Sequence, residues 1–262
     1  MKHIQFPALL ALLISAFASS VNGQSVDLLA GDTLGPNVVI PDGTTVNVLG
    51  GDIGLGVDLS NGTLNVSNGN VAVGSSGIAT GFTNTNNTVN VTGGNVGGFF
   101  QLIGSTEFNL SGGTIESFGL FDTDTVANIT GGTVTRFPDI IGGTANISGG
   151  DLFSVRVFNG AEVNFFGSEF SLNGSPLALT PGQEFVIDTR DETLTGTLAD
   201  GSALEFTLSS SVGAFGGLEP DTAQTGATVT VTLVPSIPEP MSLPLFCWVG
   251  GLALFRRVRK NN

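Results

Sequence analysis

The chain has 262 residues, 39 of them Gly, with only 11% charged residues and a formal net charge of −14. All 22 carboxylates lie between Asp27 and Glu239, where the cations are Arg136, Arg156 and Arg190; such a surface repels nucleic acid and anionic lipid and attracts cations. The one cysteine, Cys247, excludes an internal disulfide framework.

Met1 to Gly23 reads as a secretory signal peptide, an N-terminal signal helix with Lys2 and His3 as its basic start. Leu9 to Phe17 form its apolar centre, and Val21-Asn22-Gly23 or Ala18-Ser19-Ser20 a small-residue cleavage end. Its removal takes away the only histidine, His3. No His, Lys, Cys or Tyr then remains before the C-terminal apolar run, which excludes His triads, Cys–His pairs and zinc sites. No Gly-rich loop ends in Lys, so a phosphate-cradling loop is absent too.

Gln24 to Gly43 is expected to form an N-terminal cap, because an open first strand would expose its edge. From Thr44 to Phe170 one phrase recurs around seven asparagines: Asn47, Asn65, Asn90, Asn109, Asn128, Asn146 and Asn164. An apolar residue comes after each, then usually Ser or Thr, then Gly-Gly or a near relative, and an apolar residue returns six places after the asparagine. The intervals are 18, 25, 19, 19, 18 and 18 residues. A fixed period of this size marks a solenoid, whose turns cannot bury their apolar faces alone but do so when stacked.

Within Thr88-Val89-Asn90-Val91-Thr92 apolar and polar residues alternate, the pattern of a half-buried strand, and the glycines after it supply a corner. The expectation is an all-β fold: a parallel β-solenoid of about seven rungs of 18–19 residues, read as a right-handed β-helix, spanning residues 24–170. A left-handed helix is the alternative. Phe99, Phe118, Phe137 and Val155, each nine places after an asparagine, are expected to stack as one apolar ladder. The long interval places a projecting loop at Ala72 to Asn87, which carries no ionisable side chain.

Asn65, Asn90, Asn109, Asn128 and Asn146 each open an Asn-X-Ser/Thr triplet, the acceptor pattern for a glycan. The competing reading makes them the polar face of one repeated strand, satisfying each other from rung to rung. Asp122 and Asp124, two apart beside a turn, are candidate calcium ligands. Carboxylate pairs for glycoside cleavage are Asp122 with Asp124 and Asp139 with Asp151, though no aromatic platform accompanies them.

From Ser171 the period is lost. Strand-like runs appear at Glu184–Asp188, Thr193–Leu198, Ala203–Leu208 and Thr228–Leu233, with Asp200-Gly201 a hairpin turn. Residues 171–234 are therefore expected as a small antiparallel β cap. Leu172-Asn173-Gly174, Thr180-Pro181-Gly182 and Leu194-Thr195-Gly196-Thr197-Leu198 make this stretch resemble a module that precedes the sorting tail in exported bacterial proteins.

Residues 235–262 form the last segment. Pro238-Glu239-Pro240 precedes an apolar run, Met241 to Phe255, and then comes Arg256-Arg257-Val258-Arg259-Lys260. The run suits a short C-terminal transmembrane helix whose basic end stays on the cytoplasmic side. A helix of 15 residues reaches only about 22 Å, short of the roughly 30 Å hydrocarbon core, so Arg256 and Arg257 would snorkel. In order and position these parts resemble the PEP-CTERM sorting signal. The resemblance implies Pro238, Glu239 and Pro240 as recognition residues, an exosortase-type enzyme as processing partner, and transient or permanent membrane anchorage. It further implies a structural or adhesive protein of the cell surface or extracellular polysaccharide matrix; with the catalytic residue types missing and no aromatic platform, no enzyme is expected. The alternative is a polysaccharide-cleaving β-helix enzyme using carboxylates. No cofactor is expected beyond calcium.

Overall fold

A computed structural model of the chain describes residues 23–36, 38–55, 57–71, 82–210 and 221–235, with backbone alone at 82–85. The expected signal peptide, residues 72–81 of the expected loop, and the sorting tail with its anchor lie outside the described residues.

The described residues are all β, and the repeat is a parallel β-solenoid of about seven turns. Each turn lays down three outward faces. The asparagine phrases form the first, in strands such as Thr45–Ile53, Thr63–Val71, Thr88–Ile103 and Glu107–Leu120. Register is in step from coil to coil: Asn47 pairs with Asn65, Asn65 with Asn90, Asn90 with Asn109 and Asn109 with Asn128. After the glycine corner the same strands form the second face, carrying Ile53, Val71, Val96, Ile115 and Val134 inward. Shorter strands form the third, among them Val57–Ser60, Phe82–Thr85, Asp139–Ile140 and Arg156–Val157.

The corner explains the glycines. At Gly112 an added Cβ would stand 2.5 Å from the Thr92 carbonyl oxygen, and at Gly131 2.7 Å from that of Ser111. The second glycine of the pair has positive φ: +79° at Gly113 and +84° at Gly132. One glycine is required by the approach of the coil below, the other by the turn.

Inside, the residues flanking each asparagine alternate inward and stack. Val46, Leu64, Val89, Phe108, Ala127, Ala145 and Val163 make one buried column, and Val48, Val66, Val91, Leu110, Ile129, Ile147 and Phe165 the next. Phe108 packs between Phe100 and Phe118, with ring centroids 6.2 and 5.1 Å away. Each such side chain contributes about 1.5–3 kcal/mol on burial.

Four expectations need correction. Gln24 to Gly43 is not a cap but a first coil: Ser25–Leu28 continues the first face, and Asp27 takes the asparagine position opposite Asn47. Thr33–Leu34 and Val39–Ile40 complete that coil. Next, Phe99 and Phe137 do not join the inner ladder. The register slips between Val96 and Phe99, at Gly97-Gly98, so that Phe100 lies against Phe118 and Phe99 turns outward beside Ser117. Phe137 stands two places before Asp139, itself aligned with Gly119, and also faces out. Third, Phe82–Thr85 is a strand within the coil, paired with Val57–Ser60 and Phe100–Ile103. Last, residues 171–234 are not wholly antiparallel. Thr193–Leu198 and Ala203–Thr207 form the expected hairpin, which pairs antiparallel with Gly167–Leu172. Thr228–Leu233 instead returns as a final parallel strand, with Thr230 opposite Asn164. Antiparallel Glu184–Val186 closes its outer edge.

Candidate functional site

Outward along the middle of the first face runs one column of amides. Asn65 Nδ2 donates to Asn47 Oδ1 at 2.8 Å, Asn90 to Asn65 at 2.8 Å, Asn109 to Asn90 at 3.0 Å and Asn128 to Asn109 at 3.0 Å. Asn146 donates to Asn128 at 3.0 Å and Asn164 to Asn146 at 3.1 Å. The column ends on Asp27, whose Oδ1 accepts from Asn47 Nδ2 at 2.7 Å, and on Thr230, whose hydroxyl donates to Asn164 Oδ1. All five triplet asparagines are members, so the rung-to-rung reading of these side chains holds. Asn109 Nδ2 also reaches Glu107 Oε1 at 3.2 Å and Asn47 Nδ2 reaches Ser25 Oγ at 3.1 Å; Asn65, Asn90, Asn128, Asn146 and Asn164 keep one N–H and one oxygen lone pair for the outside. Beside them Ser67, Thr92, Thr130 and Ser148 donate to carbonyls of the preceding coil at 3.3–3.4 Å. The result is a flat polar strip of amides and hydroxyls.

The two carboxylate pairs singled out in sequence fare differently. Asp122 and Asp124 are both exposed at one corner. Asp122 Oδ2 accepts from the Gly104 N–H at 2.6 Å and so holds the neighbouring coil. Among the described residues no three Asp, Glu, His or Cys side chains gather as metal ligands.

Asp139 does not pair with Asp151. It sits on the third face at 3% exposure, where its Oδ1 and Oδ2 accept from Arg156 Nε and Nη2 at 2.6 and 2.7 Å. The Phe137 ring covers the guanidinium, 3.5 Å from its carbon. Burial pushes the Asp139 carboxyl above the ordinary aspartate value, against the pull of the Arg156 hydrogen bonds and charge. This is a structural ion pair. Sequence spacing missed it because the partners stand 17 residues apart, nearly one coil.

Asp151 instead lines a depression with Glu205 and Asp221, where the last turns meet the hairpin. Its volume is about 60 Å³. Burial raises the Asp221 carboxyl, opposed by N–H donors from Val155 at 2.7 Å and Thr207 at 3.2 Å and by the Ser154 side chain, and supported by the charge of Glu205. No sequence signal joins these three acids. They line one depression only because the chain leaves the coil after residue 172 and returns at 221.

On the third face Phe99 and Phe121 meet edge to face, centroids 6.0 Å apart. They close over Gly119, where an added Cβ would stand 2.6 Å from Phe99 and 2.8 Å from Phe121. This small aromatic layer was not anticipated in sequence.

Comparison with protein-family models, with curated proteins and with solved structures gave no match.

Proposed function

We propose that the protein is an exported structural or adhesive rod of the bacterial cell surface or extracellular polysaccharide matrix. Residues 1–23 direct export, and Pro238, Glu239 and Pro240, the apolar run 241–255 and the basic end with Arg256 and Arg257 direct sorting by an exosortase-type enzyme. The coil is read as a right-handed β-helix. The observation that carries the reading is the unbroken amide column from Asp27 to Thr230. Stacked identical side chains that satisfy one another make a stiff rod. The N–H and lone pair left over on Asn65, Asn90, Asn128, Asn146 and Asn164, repeated along the column, suit weak and multiple contacts with a hydroxyl-rich polymer.

The rival reading, a polysaccharide-cleaving enzyme, has Asp151, Glu205 and Asp221 in its favour. Their depression of about 60 Å³ is far below the roughly 300–1,000 Å³ of a small-molecule site.

Intact mass of the protein recovered from producing cells, with and without membrane extraction, tests the sorting. Loss of about the last 25 residues in a water-soluble or matrix fraction is expected from the position of the Pro-Glu-Pro tripeptide. A full-length C-terminus retained in the membrane defeats the processing. Extra mass in hexose steps would make glycan acceptors of Asn65, Asn90, Asn109, Asn128 and Asn146. Co-sedimentation with insoluble matrix polysaccharide without new reducing ends is expected of a rod. Release of reducing ends would favour the enzyme.

A further inference from the structure

The two ends of the rod are built differently. At the C-terminal end Thr228–Leu233 is paired on both sides, by Glu162–Gly167 and by Glu184–Val186. At the N-terminal end Ser25–Leu28, Thr33–Leu34 and Val39–Ile40 each pair on one side only among the described residues. Exposed apolar side chains collect there: Val39 at 73%, Leu29 at 56%, Leu49 at 45% and Leu55 at 38%. An open edge beside exposed apolar residues is a template for pairing with another chain.

The side chains on that edge oppose it. Three outward amide rows run through the first coils, and all donate toward the N-terminus. Each begins on an aspartate: Asn47 donates to Asp27 at 2.7 Å, Asn61 to Asp42 at 2.9 Å and Asn70 to Asp52 at 2.8 Å. Asp27 and Asp42 are exposed members of the first coil. An asparagine at either place would accept the same bond and still offer an N–H to a further strand. A carboxylate has no proton to offer and adds a charge.

We propose that Asp27 and Asp42 guard this edge against pairing with the same edge of a second copy. The matching surface is the edge itself, since among the described residues the final parallel strand at the other end is paired on both sides. Pairing is therefore two-fold, which brings the carboxylates of both copies to one junction, where like charges brought close destabilise strand pairing. Neutralising the guards leaves the exposed backbone and Leu29, Val39, Leu49 and Leu55 free to pair. The product is a closed dimer and not a fibre.

The test is sedimentation velocity on the exported protein as recovered from producing cells, comparing wild type with Asp27→Asn/Asp42→Asn at equal concentration. Asp124→Asn/Asp188→Asn removes the same charge from exposed positions away from the edge and serves as control. A two-fold increase in mass in the guard variant alone is expected, with a return to monomer when Val39→Lys is added. The proposal is overturned if the guard variant stays monomeric, if the control dimerises as well, if wild type is already dimeric, or if Val39→Lys leaves the dimer intact. Polymers longer than a dimer would overturn its two-fold form.

Discussion

Asn109 Nδ2 donates to Asn90 Oδ1 across 3.0 Å although nineteen residues separate them, and Asn109 Oδ1 accepts in turn from Asn128. An interior amide of the column is thus donor and acceptor at once. Asn109→Ala is expected to strand the Asn128 N–H and the Asn90 oxygen together and lower stability by about 1–3 kcal/mol in a urea titration. Asn109→Asp should be at least as harmful, since a carboxylate cannot donate. Asp27→Asn, at the end of the column, should leave the urea midpoint nearly unchanged.

The glycine corners carry a graded prediction. Gly112→Ala drives a Cβ to 2.5 Å from the Thr92 carbonyl oxygen, so two coils must separate. A loss above about 2 kcal/mol is expected from such overpacking. Gly160 also has positive φ, at +85°, but nothing lies within 4 Å of its Cβ position. Gly160→Ala should therefore cost only about 1 kcal/mol, the backbone penalty alone. Equal losses at the two sites in thermal melts would refute the account of the corner.

Arg156 and Asp139 should behave as a buried pair. Removing one partner leaves an uncompensated buried charge, so Arg156→Met is expected to destabilise by about 3–5 kcal/mol. Replacing both, as Arg156→Met with Asp139→Leu, should recover most of the loss, because Phe137 then packs on an apolar side chain. A double-mutant cycle by chemical denaturation measures the coupling.

Two aspartates should respond to pH in opposite directions. Partial burial acts to raise the Asp200 carboxyl, but hydrogen bonds from the Ser202 side chain and N–H and from the Gly150 N–H outweigh it and hold it low. Its contribution is therefore present above the ordinary aspartate value near 3.9 and is lost as pH falls through the depressed folded value. Being exposed, it is worth under about 1 kcal/mol. Asp221 is raised, chiefly by burial, so its contribution is present below about 3.9 and lost as pH rises through the folded value. Against their Asn variants, wild type should lose its advantage on acidification at position 200 and gain one at position 221. Urea midpoints between about pH 3 and 7 decide this. Slopes of the same sign would sink it.

What the sequence determines by itself is the repeating part. A period near 18 residues, alternation about each asparagine and a glycine pair at the corner leave a stacked parallel coil as the arrangement that buries every apolar column. Register is then set as well, because slipping one residue would turn Val46, Leu64 and Val89 outward. The asparagine column was legible for the same reason.

Tertiary structure alone decided what breaks the period. Asp27 holds an asparagine place without the phrase around it, so Gln24 to Gly43 did not look like a coil. The single extra residue at Gly97-Gly98 exchanged Phe99 for Phe100 in the core. Thr222–Leu233 rejoins the coil after an excursion of about fifty residues, a separation over which short-range patterns carry no information on pairing. The pairing of Asp139 with Arg156, and the depression that Asp151, Glu205 and Asp221 line, depend on which coils become neighbours. Residue identity sets what each coil can bury or bond, and stacking selects which side chains meet.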